Sequence, residues 1–241
     1  MTHTVYTLDV RLRDISPPIW RTIEIAGSST LEDLHFALQV AMGWTNSHLH
    51  QFVIGDASYG MVDVNQADDL DIEDERGFQL QDLVEDSDSF LYEYDFGDNW
   101  EHEVTVKRVA KVAESPQPGC IDGARACPPE DCGGTGGYEN LLKVLADPSH
   151  EEHAHLVEWS EDFQPEHFEI PKTGRDLRRE MDQLKALAKK DDSDEVDEGP
   201  VENMRWIAPQ QKAPARPRVA RKAKKTKRKA QRAARNKNRS R

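Results

Sequence analysis

The chain has 241 residues, of which 37% are hydrophobic, and its 45 Asp and Glu outnumber its 32 Lys and Arg to leave a net charge of −13. No run of about 18 apolar residues occurs, so no membrane-spanning helix is expected, and Met1-Thr2-His3-Thr4 lacks the basic-then-apolar pattern of a leader, which points to the cytoplasm. Three cysteines, an odd number, argue against a disulfide framework.

The charge is split along the chain. No acid lies beyond Glu202, while 204–241 hold sixteen Lys and Arg; residues 1–203 therefore set 16 basic against 45 acidic residues, a net −29, against +16 in the tail. This divides the chain into a folded domain over 1–190, an acidic, apolar-poor linker over 191–203 and a disordered basic tail over 204–241. A domain of that length can bury one sizeable core or two small ones.

In chain order, Tyr6, Leu8, Val10 and Leu12 alternate with polar residues, which is the period of a half-buried strand. After the break at Ser16-Pro17-Pro18, Ile19, Ile23 and Ile25 alternate in a second strand, with Trp20 on the other face. Thr30 and Asp33 form a capping-box pattern ahead of Leu31, Leu34, Leu38 and Met42 at helical spacing, and Gly43 suits the position after the helix. His50, Phe52 and Ile54 make a third strand. The acidic stretch 62–75 reads as a loop, and Phe78, Leu80 and Leu83 as a short strand and turn. Phe90, Tyr92, Tyr94 and Phe96 alternate strongly, and Val104 and Val106 continue beyond a Gly97-Asp98-Asn99 turn as the partner strand of a hairpin. The Pro/Gly-rich segment 116–137 cannot hold regular structure for long. Three helices follow, one marked by Tyr138, Leu141, Leu142 and Leu145, one over His150 to Trp159, and one from Thr173 through Leu177, Met181, Leu184 and Leu187. The expected class is α+β: a β-grasp-like mixed sheet with a packed helix, followed by C-terminal helices.

Four constellations carry candidate chemistry. Tyr92 to His102 gathers aromatics, carboxylates and a histidine on one hairpin, suited to acid/base work or a metal, although alternation alone accounts for most of the pattern. Cys120, Cys127, Cys132 and His102 offer zinc ligands, but the gaps between thiols hold six and four residues rather than a tight pair; no cofactor is therefore expected, with zinc as the alternative. Gly133-Gly134-Thr135-Gly136-Gly137 precedes a helix as a phosphate-cradling loop does, without the Lys-Ser/Thr of a nucleotide-binding loop. His48 and His50 share one strand face, while His150, His153 and His155 sit in acidic, solvated surroundings.

The tail suits a polyanion, with folding back on the acidic body or an aid to solubility as the alternatives. Residues 216–241 carry fourteen Lys and Arg and no acid, and Arg221, Lys222, Lys224, Lys225, Lys227, Arg228, Lys229, Arg232 and Arg235 are the expected contacts for a non-specific, salt-dependent nucleic-acid interaction. No aromatic follows Trp206, so base stacking has no platform there.

Taken together, Pro18-Ile19-Trp20-Arg21, Leu34-His35, Ala41-Met42-Gly43-Trp44, His48-Leu49-His50-Gln51-Phe52, Tyr94-Asp95-Phe96-Gly97-Asp98-Asn99-Trp100-Glu101-His102, Cys120 with Pro128-Pro129-Glu130-Asp131-Cys132-Gly133-Gly134, and Gly137-Tyr138 resemble the plasmid pRiA4b ORF-three-like family over about residues 4–187. The resemblance implies an α+β fold with a β-grasp-like core, carried on plasmids and insertion elements. Some members bear a resolvase-type label, but this chain lacks the arginine cluster and helix-turn-helix of a serine resolvase. The matched residues Trp20, Arg21, His35, His48, His50, Asp95, Asp98, Trp100, Glu101 and His102 form the candidate pocket. The leading expectation is a non-enzymatic domain of unknown biochemical activity, a plasmid- or mobile-element-associated binding or accessory protein whose basic tail is open to non-specific nucleic-acid contact. The alternatives are a metal-dependent hydrolase or nuclease built on the His/Asp/Glu cluster, and a protein-interaction module whose acidic body meets a basic partner.

Overall fold

The structure, a computed structural model, describes residues 1–62, 72–161, 163–170 and 174–194. The strands are β1 (His3–Leu12), β2 (Trp20–Ala26), β3 (His50–Ile54), β4 (Ala57–Gly60), β5 (Ile72–Asp74), β6 (Ser89–Tyr94), β7 (Trp100–Val112) and β8 (Gly119–Ala124). The helices are α1 (Leu31–Met42), α2 (Leu80–Leu83), α3 (Gly134–Leu145), α4 (His153–Trp159) and α5 (Gly174–Asp194), with a single 3-10 turn at Glu75–Gly77. The described residues lie within one unit, Met1–Val196. None of their helices is long and apolar enough to cross a membrane.

All eight strands join one sheet in the order β5-β4-β3-β6-β7-β1-β2-β8. Its pairs are antiparallel except β4 with β5. This mixed sheet with helices is the α+β class read from the sequence. Register explains the core. Cross-strand partners Leu8↔Ile23, Leu8↔Val106, Val10↔Val104, Phe90↔Val104 and Phe52↔Tyr92 place the buried side chains of β1, β2, β3, β6 and β7 on one face, because side chains of period two stay on one face when register is kept. α1 covers that face. Thr30 and Asp33 close a reciprocal capping box, and Gly43, at φ 90°, ends the helix with its N–H on the Gln39 carbonyl. α5 packs against α1 through buried Leu177 and Met181, and Lys185 forms an ion pair with Asp33.

Several local expectations differ from what forms: the stretch read as a loop over 62–75 holds β5 and the start of the 3-10 turn, and β6 ends at Tyr94, short of Phe96. Leu80 to Leu83 is a turn of helix rather than strand, because Leu80 N–H bonds the Ser29 carbonyl and its side chain buries beneath the start of α1. The Pro/Gly-rich segment contributes β8, six residues that add to the β2 edge and bury Cys120 opposite Ile23. α5 runs through Asp194, into the stretch read as linker. The rest of that linker, the acidic segment 63–71 and the whole basic tail, with the nucleic-acid residues expected there, lie outside the described residues.

Candidate metal centre

The site lies at one end of the β3-β6-β7 strands. His48 enters β3, Asp95 leaves β6, and Asp95 N–H bonds the Leu49 carbonyl at 2.9 Å, which carries the ladder one step past its last pair, His50↔Tyr94. The third contributor is the loop before α3. It is tied down by Trp44 Nε1–H on the Pro128 carbonyl (3.0 Å), by the Thr45 N–H and hydroxyl on the two Glu130 carboxylate oxygens (2.9 and 3.0 Å), and by the Tyr94 hydroxyl on Glu130 (2.9 Å).

The glycines of that loop serve close approach. A side chain at Gly137 would stand 1.9 Å from the Cys132 carbonyl oxygen, and one at Gly134 would stand 2.6 Å from the Asp98 carbonyl oxygen. Gly133 N–H donates to the Asp98 carboxylate at 3.1 Å. The loop is thereby pressed onto the β6-β7 turn, and its glycines have a packing reason apart from phosphate binding.

These contacts bring His48, Asp95 and Asp131 together. His48 Nε2 lies 3.7 Å from Asp95 Oδ2 and 3.4 Å from Asp131 Oδ1, and one donor atom from each of the three residues falls within 4.8 Å of the others. Metal–ligand bonds of roughly 2.0–2.2 Å require donors at about this separation. His48 Nε2 is sealed from solvent yet has no hydrogen-bond partner, an expensive state for a buried polar atom. Asp95 Oδ1 is occupied by the Gly97 and Asp98 amides at 2.9 and 3.3 Å, which aims Oδ2 at the imidazole. Asp131 is 74% exposed, so the open side of the cluster faces solvent. Asp95, Asp131, Asn99 and Asn46 all adopt left-handed backbone, with φ of 56–58°, a conformation that Asn and Asp tolerate best after glycine.

Below the cluster lies a buried polar network. Gln39 Nε2 donates to the Tyr92 hydroxyl (3.0 Å), which donates to His35 Nδ1 (2.8 Å). His35 Nε2–H donates to Asn46 Oδ1 (2.8 Å), and Asn46 N–H returns to Gln39 Oε1 (2.9 Å). The proton positions follow from the fixed donors at Gln39 and Asn46. His35 stacks on His50 with ring centroids 3.5 Å apart, and His50 Nε2 meets Glu75 at 2.8 Å. Burial depresses His35 and His50 to about 3 and raises Glu75 to about 7, each shift favouring the uncharged form. His102, also fully buried, is lowered to about 4 by burial.

A stability prediction follows from His35 and His102. The unfolded chain takes up protons near pH 6.5, whereas these folded imidazoles do so only near 3 and 4, so stability falls as pH drops through that window. Glu75 acts in the opposite sense, losing stability as pH rises from its ordinary value of 4.5 through about 7. Two or more histidines outweigh one carboxyl, and thermal melts should show a melting temperature that declines steadily from pH 6.5 to about 4. A flat profile over that range would contradict it.

The ten candidate residues thus divide. His48 and Asp95 enter the cluster; His35 and His50 lie in the network beneath; Trp100 and His102 are core, His102 meeting the Trp44 ring edge-on. Asp98 anchors Gly133, and Glu101 pairs with Arg13 at 2.7 Å on the surface. Arg21 is buried and spends its donors on four backbone carbonyls, while Trp20 points to the opposite face of β2. The thiols do not gather. Among the described residues, the His48, Asp95 and Asp131 group is the one metal-sized cluster, and it contains no cysteine. Cys127 contacts the Met42 sulfur, and burial pushes both Cys127 and Cys132 up to about 12, away from the thiolate that zinc needs. Asp131, Gln39, Asn46, Glu75 and Tyr92 were not among the candidates; of these, Asp131 and Tyr92 lay within a quoted motif.

A family model described as plasmid pRiA4b ORF-3-like protein matches residues 4–172. This chain belongs to the plasmid pRiA4b ORF-3-like family. Its relatives include the uncharacterized protein y4hQ of Sinorhizobium fredii (strain NBRC 101917 / NGR234), 39% identical over 161 residues, covering 66% of this chain and 82% of y4hQ. Among solved structures, the protein of unknown function MM3350 from Methanosarcina mazei Go1 is similar at a TM-score of 0.64 and 36% identity, covering 70% of this chain and 96% of MM3350. The pRiA4b ORF-3-like match spans all three segments that build the cluster.

Proposed function

We propose that this pRiA4b ORF-3-like protein is a metal-dependent hydrolase whose ion is held by His48, Asp95 and Asp131. One observation carries the reading: three ligand-type donors from three separate segments converge, and the imidazole nitrogen among them is buried without a hydrogen bond. One imidazole and two carboxylates suit Mn²⁺, Zn²⁺ or Fe²⁺ better than Ca²⁺, and three protein ligands leave open positions, as catalytic sites do. Such an ion supplies Lewis acidity for the attack of water on an acyl or related centre.

Charge selects among substrates. Glu130 and Asp98 adjoin the ligands, and residues 1–203 carry a net −29. Four carboxylates around a divalent ion leave the site negative, which disfavours a phosphodiester and favours a neutral or cationic ester or amide. Apo protein titrated calorimetrically with Mn²⁺ should bind one equivalent, and the loaded protein should hydrolyse p-nitrophenyl acetate faster than bis(p-nitrophenyl) phosphate. Absence of metal uptake, or the reverse preference, would overturn the reading. The basic tail supports a separate role: fourteen Lys and Arg without an acid over 216–241 suit a non-specific polyanion contact, independent of the acidic domain.

A further inference from the structure

His35 touches neither the candidate ion nor solvent, yet it holds the chain on both sides of His48. Two residues before His48, Asn46 accepts the His35 Nε2–H at 2.8 Å. Two residues after it, the His50 ring lies flat on His35, the planes 6° apart and the centroids 3.5 Å apart. The segment between is further held by Ser47 N–H on the Tyr94 hydroxyl at 3.1 Å.

His35 is itself fixed from two rigid elements. Its Nδ1 accepts from Tyr92 on β6, and Tyr92 accepts from Gln39, one turn along α1 from His35. Asn46 N–H on Gln39 Oε1 closes the circuit. From Asn46 N–H through Gln39, Tyr92 and His35 the donors point the same way round, so the bonds through the Gln39 amide, the Tyr92 hydroxyl and the His35 ring reinforce one another. His35, Gln39 and Tyr92 are each 1% exposed or less. A buried circuit of this kind has one satisfied arrangement, and that arrangement sets Asn46 in its left-handed conformation and launches the chain toward His48.

We propose that His35, Gln39 and Tyr92 are positioning residues for His48, a hydrogen-bonded clamp that presents its Nε2 to Asp95 and Asp131. The proposal rests on the metal reading for its functional meaning and on the geometry of 44–50 for its structural content, and the test separates the two. Tyr92→Phe removes the hydroxyl at the hub while keeping the ring in the core. Ile23→Val, a β2 core change outside the circuit, is the control for general loss of stability.

In the full chain, Tyr92→Phe should weaken Mn²⁺ binding about 10-fold by calorimetry, the scale of an outer-shell partner. The amides of Asn46 and Ser47 should exchange with deuterium faster than in Ile23→Val, which should bind Mn²⁺ within about twofold of the unmodified protein. If Tyr92→Phe fails to fold, Gln39→Leu breaks the circuit at two bonds and is measured in its place. Unmodified protein that binds Mn²⁺ and a variant that binds it equally well would overturn the proposal. Unmodified protein that takes up no Mn²⁺ would overturn the metal reading instead, and exchange then decides: local acceleration at Asn46 and Ser47 supports the clamp, and exchange matching Ile23→Val overturns it.

Discussion

With Asp95 changed to asparagine, Mn²⁺ affinity should fall by roughly 100-fold, at least the upper end of what outer-shell changes cost, while the melting temperature stays within about 2 °C. The separation comes from the two carboxylate oxygens having different tasks. Oδ1 caps the turn by accepting the Gly97 and Asp98 amides, and an asparagine oxygen does the same. The φ of 56° at this position is one that asparagine tolerates. Oδ2 faces His48 at 3.7 Å, and there the variant places an uncharged NH₂, a donor that cannot ligate a cation. Asp95→Ala would confuse the outcome, since it loses the turn bonds and leaves a left-handed alanine costing about 1–2 kcal/mol. Calorimetry with Mn²⁺ and a melting curve on the same sample decide the matter; unchanged affinity in Asp95→Asn would remove Asp95 from the ligand set.

The largest effect on stability is expected at Arg21. Its Nε donates to the Ala41 carbonyl at 2.8 Å, Nη1 to the Trp20 and Ala124 carbonyls at 2.7 and 2.9 Å, and Nη2 to the Arg125 carbonyl at 2.9 Å. The guanidinium also lies 4.0 Å from the centre of the Phe168 ring. It binds the C-terminal end of α1, where helix carbonyls lack intrahelical donors and a positive charge is favoured, to the end of β8. Arg21→Met fills much of the volume but leaves four carbonyls without that donor, and urea unfolding should show a loss of about 3–5 kcal/mol. Arg21→Lys should recover little, because an ammonium cannot span four acceptors set around a planar fork. A loss below about 1 kcal/mol would mean that water replaces the fork and that Arg21 does not fasten β8.

Arg21 also marks the limit of what was legible. It was grouped with the pocket because it stands beside Trp20 in a recognisable motif. Alternation along β2 puts it on the core face with Ile23 and Ile25, and a buried cation there reads as functional until its carbonyl partners are known. Those partners come from α1 and β8, which are 20 and more residues away in the chain. Helix α1 itself was legible to its caps, since Thr30, Asp33 and Gly43 act within a few residues of one another. β8 was not, because six residues among prolines and glycines become a strand only when the β2 edge is offered.

The candidate site divides in the same way. His48 and Asp95 stood out as histidine and carboxylate flanking predicted strands. Asp131 did not, since nothing in Pro128 to Gly134 says that the loop folds onto Asp95. Gln39, Asn46 and Tyr92 carried only ordinary local signals: a helix interior, a turn and an aromatic strand.

The amino-acid sequence by itself determined the split between an acidic domain and a basic tail, the family, the α+β class, and the elements set by local chemistry, because charge, period and capping act over a few residues. Tertiary structure decided which acids meet which histidine, that the thiols stay apart, and that His35 grips both flanks of His48. Those outcomes depend on sheet order and on contacts between segments 11 and more residues apart in the chain, distances over which sequence patterns carry no geometric information.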